Sequence, residues 1–160
     1  MKKRENSVES KFFCDSMLGK LSRELRILGV DAECKRGQGG MRAYRLARAQ
    51  GRILLTRNTR LRELPGVFFI RSQVLSEQLA EVKQQFGISP RKEQTLTRCL
   101  ECNVTLEKIT REQARPSVPF FIYQIHHDFR RCPKCKRVYW PGSHTRNMER
   151  RVSGPRGNQR

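Results

Sequence analysis

An α/β domain built on a parallel sheet, followed by a small β-rich module, is the architecture this sequence predicts, and three observations predict it. Short apolar runs alternate with amphipathic segments through the first ninety residues. That alternation stops near Pro90. Two Cys-x-x-Cys pairs then follow, at Cys99/Cys102 and Cys132/Cys135. Alternating strands and helices argue for a parallel sheet with helices on its faces. A stretch of about 50 residues beyond it would bury too little surface to fold without a staple.

Each element has its own signal. Residues 11–14 form a short apolar run ending at Asp15, the pattern of a buried strand. Leu18, Leu21, Leu25 and Leu28 recur at helical spacing, with Lys20, Arg23, Glu24 and Arg26 mostly off that face and Gly29 as the stop. A second short strand is expected over 30–34 and a glycine loop over 37–40. A helix is expected over 41–50, ending at Gly51, and residues 52–56 are the clearest strand in the chain. A short turn or helix over 57–64 leads to a strand over 66–70. Leu75, Leu79, Val82 and Phe86 then mark a helix that ends at Gly87.

In parallel sheets of this kind, ligands bind at the carboxyl ends of the strands. Asp15 follows the first strand and Asn58 follows the strand over 52–56, so both can open on that edge. A carboxylate there would suit Mg²⁺ or Mn²⁺, which prefer oxygen ligands. Asp15 can equally cap the helix that follows it. Asp31 and Glu33 alternate to one face of the second strand. The glycine loop and the start of the next helix carry no acid, but offer Arg36 and Arg42.

The cysteine pairs point to a metal. A Cys-x-x-Cys knuckle bends the backbone so that two thiolates meet one tetrahedral ion. Cys99, Cys102, Cys132 and Cys135 therefore predict a closed Zn²⁺ site that staples a ribbon and leaves no position for catalytic water. The 29 residues between the pairs exceed the usual separation. An inserted loop over 111–117 and a strand over 118–125 are expected to fill it. His126, His127 and His144 read as surface or core residues, Cys14 as a buried strand residue and Cys34 as a separate thiol.

The charge narrows the partner. The chain carries 34 basic and 15 acidic residues, a net +19. Residues 1–90 hold 18 and 9 of these, giving +9, and residues 91–160 hold 16 and 6, giving +10. A field of this size attracts polyanions and exceeds what solubility needs. RNA is the partner it favours. No apolar run is long enough to span a bilayer and the first residues lack a secretory apolar stretch, so a cytoplasmic protein with no membrane partner is expected. Arg130, Arg131, Lys134, Lys136 and Arg137 surround the second knuckle, with Tyr139 and Trp140 beside them. Basic residues bind phosphates and aromatics stack on unpaired bases, so these residues and Arg36, Arg42 and Arg57 form the expected RNA contacts. Phe120 and Phe121 are expected in the small core. The expected organisation is a basic extension over 1–10, the α/β domain over 11–90, the ribbon over 91–148 and a basic, flexible tail over 149–160.

Three motifs carry a family resemblance. Residues 12–21 (Phe-Phe-Cys-Asp-Ser-Met-Leu-Gly-Lys-Leu) with 25–31, residues 53–58 (Ile-Leu-Leu-Thr-Arg-Asn), and Cys132-Pro-Lys-Cys135 with residues 139–144 (Tyr-Trp-Pro-Gly-Ser-His) occur in the right order. Together they resemble the Mut-seven C-terminal RNase domain family. The resemblance implies a PIN-like nuclease fold with helices on both faces of the sheet, a C-terminal zinc ribbon and metal-dependent ribonuclease chemistry. It maps family acids onto Asp15 and Asp31 as candidate catalytic residues. A third falls on Asn58, and the acid-rich stretch before the second helix falls on 36–41, where no acid remains. The expectation is an RNA-binding protein on a degenerate nuclease fold, associated with an RNA such as ribosomal RNA. The alternative is an active Mg²⁺- or Mn²⁺-dependent ribonuclease using Asp15, Asp31 and Asn58.

Overall fold

The computed structural model describes residues 9–142. Residues 1–8 of the expected N-terminal extension, His144 and the basic tail lie outside the described residues. The chain divides into two compact units: residues 1–25 with 30–88, and residues 26–29 with 89–160.

The first unit opens with strand β1 (Phe12–Cys14), then a 3-10 turn (Ser16–Leu18) and helix α1 (Gly19–Ile27). Strand β2 (Ala32–Glu33), helix α2 (Gly40–Ala49) and strand β3 (Ile53–Thr56) follow. Strand β4 (Val67–Phe69) and helix α3 (Leu75–Phe86) complete it, with Gly87 closing α3 in the left-handed region at φ +64°. The four strands are all parallel, in the order β2-β1-β3-β4. The alternating pattern thus forms the parallel sheet it predicts.

Alternation along β1 sends successive side chains to opposite faces. Phe13 packs with Leu54, Leu61 and with Ala43 and Ala47 of α2. Phe12 points the other way and meets Phe86 of α3 edge-on, with ring centroids 4.8 Å apart. Phe86 also meets Phe68 of β4 at 5.4 Å. Helices therefore cover both faces. The chain leaves β1 for β2 on one side and returns from β2 to β3 on the other, so the sheet's topological switch point lies at the carboxyl ends of β1 and β3.

The second unit carries a three-stranded antiparallel sheet of β5 (Glu107–Ile109), β6 (Phe129–Arg131) and β7 (Val138–Tyr139), in that order. Between β5 and β6 lie α4 (Arg111–Ala114), a 3-10 turn (Arg115–Ser117) and α5 (Phe120–Ile125). The strand expected over 118–125 is therefore helical. Thr110 and Gln113 form a capping box that starts α4, and Pro119 starts α5, so local capping overrides the β-propensity of the apolar run. Register explains the two small cores. Ile109, Phe129, Val138 and Trp140 pack with Ala114 and Ile122 of the helical insertion. Tyr139 packs with Leu106, Cys99 and Cys132. No helix among the described residues is long and apolar enough to cross a membrane.

Candidate functional site: a carboxylate edge and a cysteine centre

Asp15 sits at the switch point and is 1% exposed. Its Oδ1 accepts from the backbone N–H of Ser16 at 2.8 Å and of Gly40 at 3.3 Å, and its Oδ2 accepts from the Thr56 hydroxyl at 2.6 Å. It thus caps the turn after β1, meets the first residue of α2 and grips the end of β3. Gly39 permits this approach. A Cβ there would lie 2.6 Å from Ser16 Oγ and 3.0 Å from Asp15 Oδ1.

Asn58 reaches the same edge. Its N–H donates to Thr56 Oγ1 at 3.0 Å, so one hydroxyl links it to Asp15. Its side-chain oxygen accepts from the Arg60 N–H, capping the 3-10 turn at Thr59–Leu61. Asp31 is not brought there. It precedes β2, at the opposite end of the sheet, and pairs with Arg52 Nη1 at 2.5 Å, which also donates to the Phe12 carbonyl. Its spacing from Asp15 placed it near the motif in sequence, but parallel pairing separates the start of one strand from the end of its neighbour.

The connections at the carboxyl edge are basic. Arg36 follows β2, Arg42 lies in the first turn of α2, Arg57 and Arg60 follow β3 and Arg71 follows β4. Arg36 and Arg42 are exposed. Arg57 is half-buried and donates to the Arg71 carbonyl at 3.5 Å.

In the second unit, Cys99, Cys102, Cys132 and Cys135 bring their sulfurs within 4.8 Å of one another. Cys99 and Cys135 Sγ are 3.6 Å apart. Four thiolates about 2.3 Å from a tetrahedral ion lie roughly 3.8 Å from each other, so the spacing fits. The two knuckles repeat one geometry. The Cys102 N–H points at Cys99 Sγ at 3.3 Å, and the Cys135 N–H at Cys132 Sγ at 3.4 Å. Asn103 N–H donates to the Cys99 carbonyl and Lys136 N–H to the Cys132 carbonyl, at 2.9 and 3.0 Å. Both of these residues adopt left-handed backbone, at φ +61° and +66°. Among the described residues, this quartet is the group of ligating side chains that could hold a metal ion.

Burial pushes the Cys99 thiol up, but hydrogen bonds from the Tyr139 hydroxyl and the backbone outweigh it and hold it at about 7. Burial and the neighbouring thiols push Cys102 up to about 12 and raise Cys135. Tyr139 is raised by burial and by Cys99. The Leu100 N–H donates to the Tyr139 hydroxyl at 3.2 Å, which directs the hydroxyl proton toward Cys99 Sγ, also at 3.2 Å.

Tyr139 and Trp140, expected to stack on RNA bases, are half-buried and pack against the small cores. Phe120 and Phe121 are the converse: expected in the core, they are 69% and 61% exposed. Arg130 is half-buried and donates to the Leu96 carbonyl at 3.2 Å, and Arg131 is half-buried. Lys134, Lys136 and Arg137 are exposed, Arg137 lying 3.9 Å from Glu101. Sequence reasoning missed Arg26, placed off the apolar face of its helix. It is 4% exposed and donates to the carbonyls of Leu100, at 2.6 Å, and Glu101, within the first knuckle. Nothing in helical periodicity marks an arginine buried for knuckle carbonyls.

The fold and these sites define an α/β domain with a four-stranded parallel sheet, followed by a small antiparallel module that carries a four-cysteine cluster. The family model of the Mut7-C RNAse domain matches residues 10–152, and the chain belongs to that family. Membership connects it to RNA. No curated protein and no solved structure matches the chain.

Proposed function

We propose that this protein binds RNA without cutting it, on a PIN-like nuclease fold whose metal edge has become a phosphate-facing edge. The carrying observation is the state of Asp15. It is buried and already accepts from Ser16, Gly40 and Thr56. Asn58 stands where the motif has an acid, and Asp31 is paired with Arg52 at the other end of the sheet. A hard cation needs several oxygens with outward lone pairs. The arginines around that edge favour phosphate instead.

In this reading the cysteine quartet holds a structural Zn²⁺ that completes the ribbon. Its four thiolates close the ion's coordination, so zinc supplies folding energy and no reactive water. The RNA contacts of the first unit are Arg36, Arg42 and Arg57, and those of the second are Lys134, Lys136 and Arg137. The spread of the +19 charge over both halves suits a large structured RNA such as ribosomal RNA in the cytoplasm.

Family membership favours a second reading, an Mg²⁺- or Mn²⁺-dependent ribonuclease in which Asp15 and Asn58 hold one ion that activates water. One experiment separates the two. RNA that copurifies with the protein at low salt is sequenced, then incubated with the same sample and Mn²⁺. Intact RNA, released by salt with a log–log slope of about −3 to −5, is expected for roughly five phosphate contacts. Mn²⁺-dependent cleavage that disappears in Asp15→Ala would overturn the binding reading.

A further inference from the structure

Helix α5 presents its apolar residues to solvent. Phe120, Phe121 and Ile125 are 69%, 61% and 59% exposed, and they are half of the large apolar residues exposed among the described residues. A six-residue helix ordinarily points such residues inward. Here Ile122 takes that inward place, packed with Ala114 and Phe129. At about 100° per residue, Phe121 and Ile125 share one stripe, while Phe120 points about 100° away from Phe121 and shares its own side of the helix with Tyr123. The core of the insertion is therefore complete without the phenylalanines.

Cations lie against Tyr123, on the side of the helix that Phe120 shares. The Arg111 guanidinium lies 4.4 Å from the Tyr123 ring centroid and donates to the Tyr123 carbonyl. Arg115, which is exposed, lies 5.8 Å from the same ring. Flat aromatic faces next to guanidinium groups meet both halves of one ligand: a base stacks on the ring and its phosphate pairs with the cation. A second copy of this chain would bring the same positive charge and be repelled.

We propose that α5 is a stacking platform for unpaired RNA bases, with Phe120 and Phe121 as the stacking rings and Arg115 as the phosphate partner. This rests on the RNA-binding reading above and adds which part of an RNA the second unit takes: a single-stranded loop or bulge, with the bases splayed out.

The test uses the full chain with zinc bound and two RNA probes of equal charge. One is an unstructured 12-nucleotide strand carrying 2-aminopurine, the other a fully paired hairpin. Each base stack lost costs about tenfold or more in affinity. The double variant Phe120→Ala/Phe121→Ala is expected to bind the single strand at least tenfold more weakly, with the salt slope unchanged and hairpin affinity kept. Quenching of 2-aminopurine fluorescence seen with the native protein should vanish. The single variant Phe121→Trp, which keeps a stacking face, should retain both the affinity and the quenching. Because the two side chains are exposed, unchanged zinc content and circular dichroism are expected.

Native-like single-strand affinity in the double variant would overturn the platform while leaving RNA binding intact. That result together with loss of a copurifying protein would assign the patch to a protein partner. Failure of the native chain to bind either probe would instead overturn the RNA-binding reading and the platform with it.

Discussion

At the carboxyl ends of β1 and β3, the motif carboxylate turns inward onto Ser16, Gly40 and Thr56. In the knuckles the backbone likewise turns N–H groups, those of Cys102 and Cys135, toward sulfur. Both are places where a sharp turn gathers ligating side chains. In the first, the carboxylate serves as a structural cap between three elements. In the second, the turns exist to present ligands, and Asn103 and Lys136 accept left-handed backbone to allow it. The number of ligating atoms tells the two apart: four sulfurs gather within 4.8 Å in the knuckles, whereas at the sheet edge one carboxylate already accepts from three donors.

Removing the metal should draw the contrast most strongly. Apparent binding free energies for structural zinc reach about 10 kcal/mol or more, and in such modules that is folding free energy. Chelation, or Cys132→Ser, is expected to abolish hydrogen-exchange protection across β5, β6 and β7 while leaving β1, β3 and α3 protected. Protection retained in β6 of metal-free protein would show that the two small cores suffice alone.

Asp15→Ala should come next. It strands the Thr56 hydroxyl and two backbone N–H groups in a buried place, at a cost of about 3 kcal/mol. Denaturant unfolding of the first unit should shift by that much, with or without Mn²⁺. A loss of stability seen only in the presence of Mn²⁺ would mean that the carboxylate holds an ion after all.

Asn58→Asp makes a finer cut. Aspartate caps as well as asparagine, so the turn after β3 should survive with stability changed by less than about 1 kcal/mol. The added charge faces the basic edge, and at about 1 kcal/mol for a pair 4 Å apart in water it should weaken RNA binding about fivefold at low salt. Unchanged RNA affinity would remove this edge from the binding surface.

The smallest effect is expected at Lys136. Left-handed backbone costs an L-residue about 1 kcal/mol, which glycine avoids. Lys136→Gly should raise the melting temperature of the zinc-loaded second unit by a few degrees. Lower stability would mean that the lysine stem makes packing that outweighs its backbone strain.

The sequence by itself determined the parallel sheet, because apolar runs such as 12–14 and 53–56 alternate with helical stripes and this pattern has few solutions. It determined the cysteine quartet, because two short covalent spacings place thiols on tight turns whatever surrounds them. It also put Asp15 and Asn58 on one edge, because each ends a strand of the same parallel sheet. Only the tertiary structure decided the rest. Asp31 and Asp15 are near in sequence, but strand direction puts them at opposite ends. Arg26 reads as a surface residue until the first knuckle supplies carbonyls for it. Tyr139 is drawn inward onto Leu106 and the cysteines, Trp140 packs against the helical insertion, and Phe120 and Phe121 are left outside on α5, started by Pro119. Those choices depend on which distant groups satisfy a buried donor or fill a core, and local pattern holds no record of them.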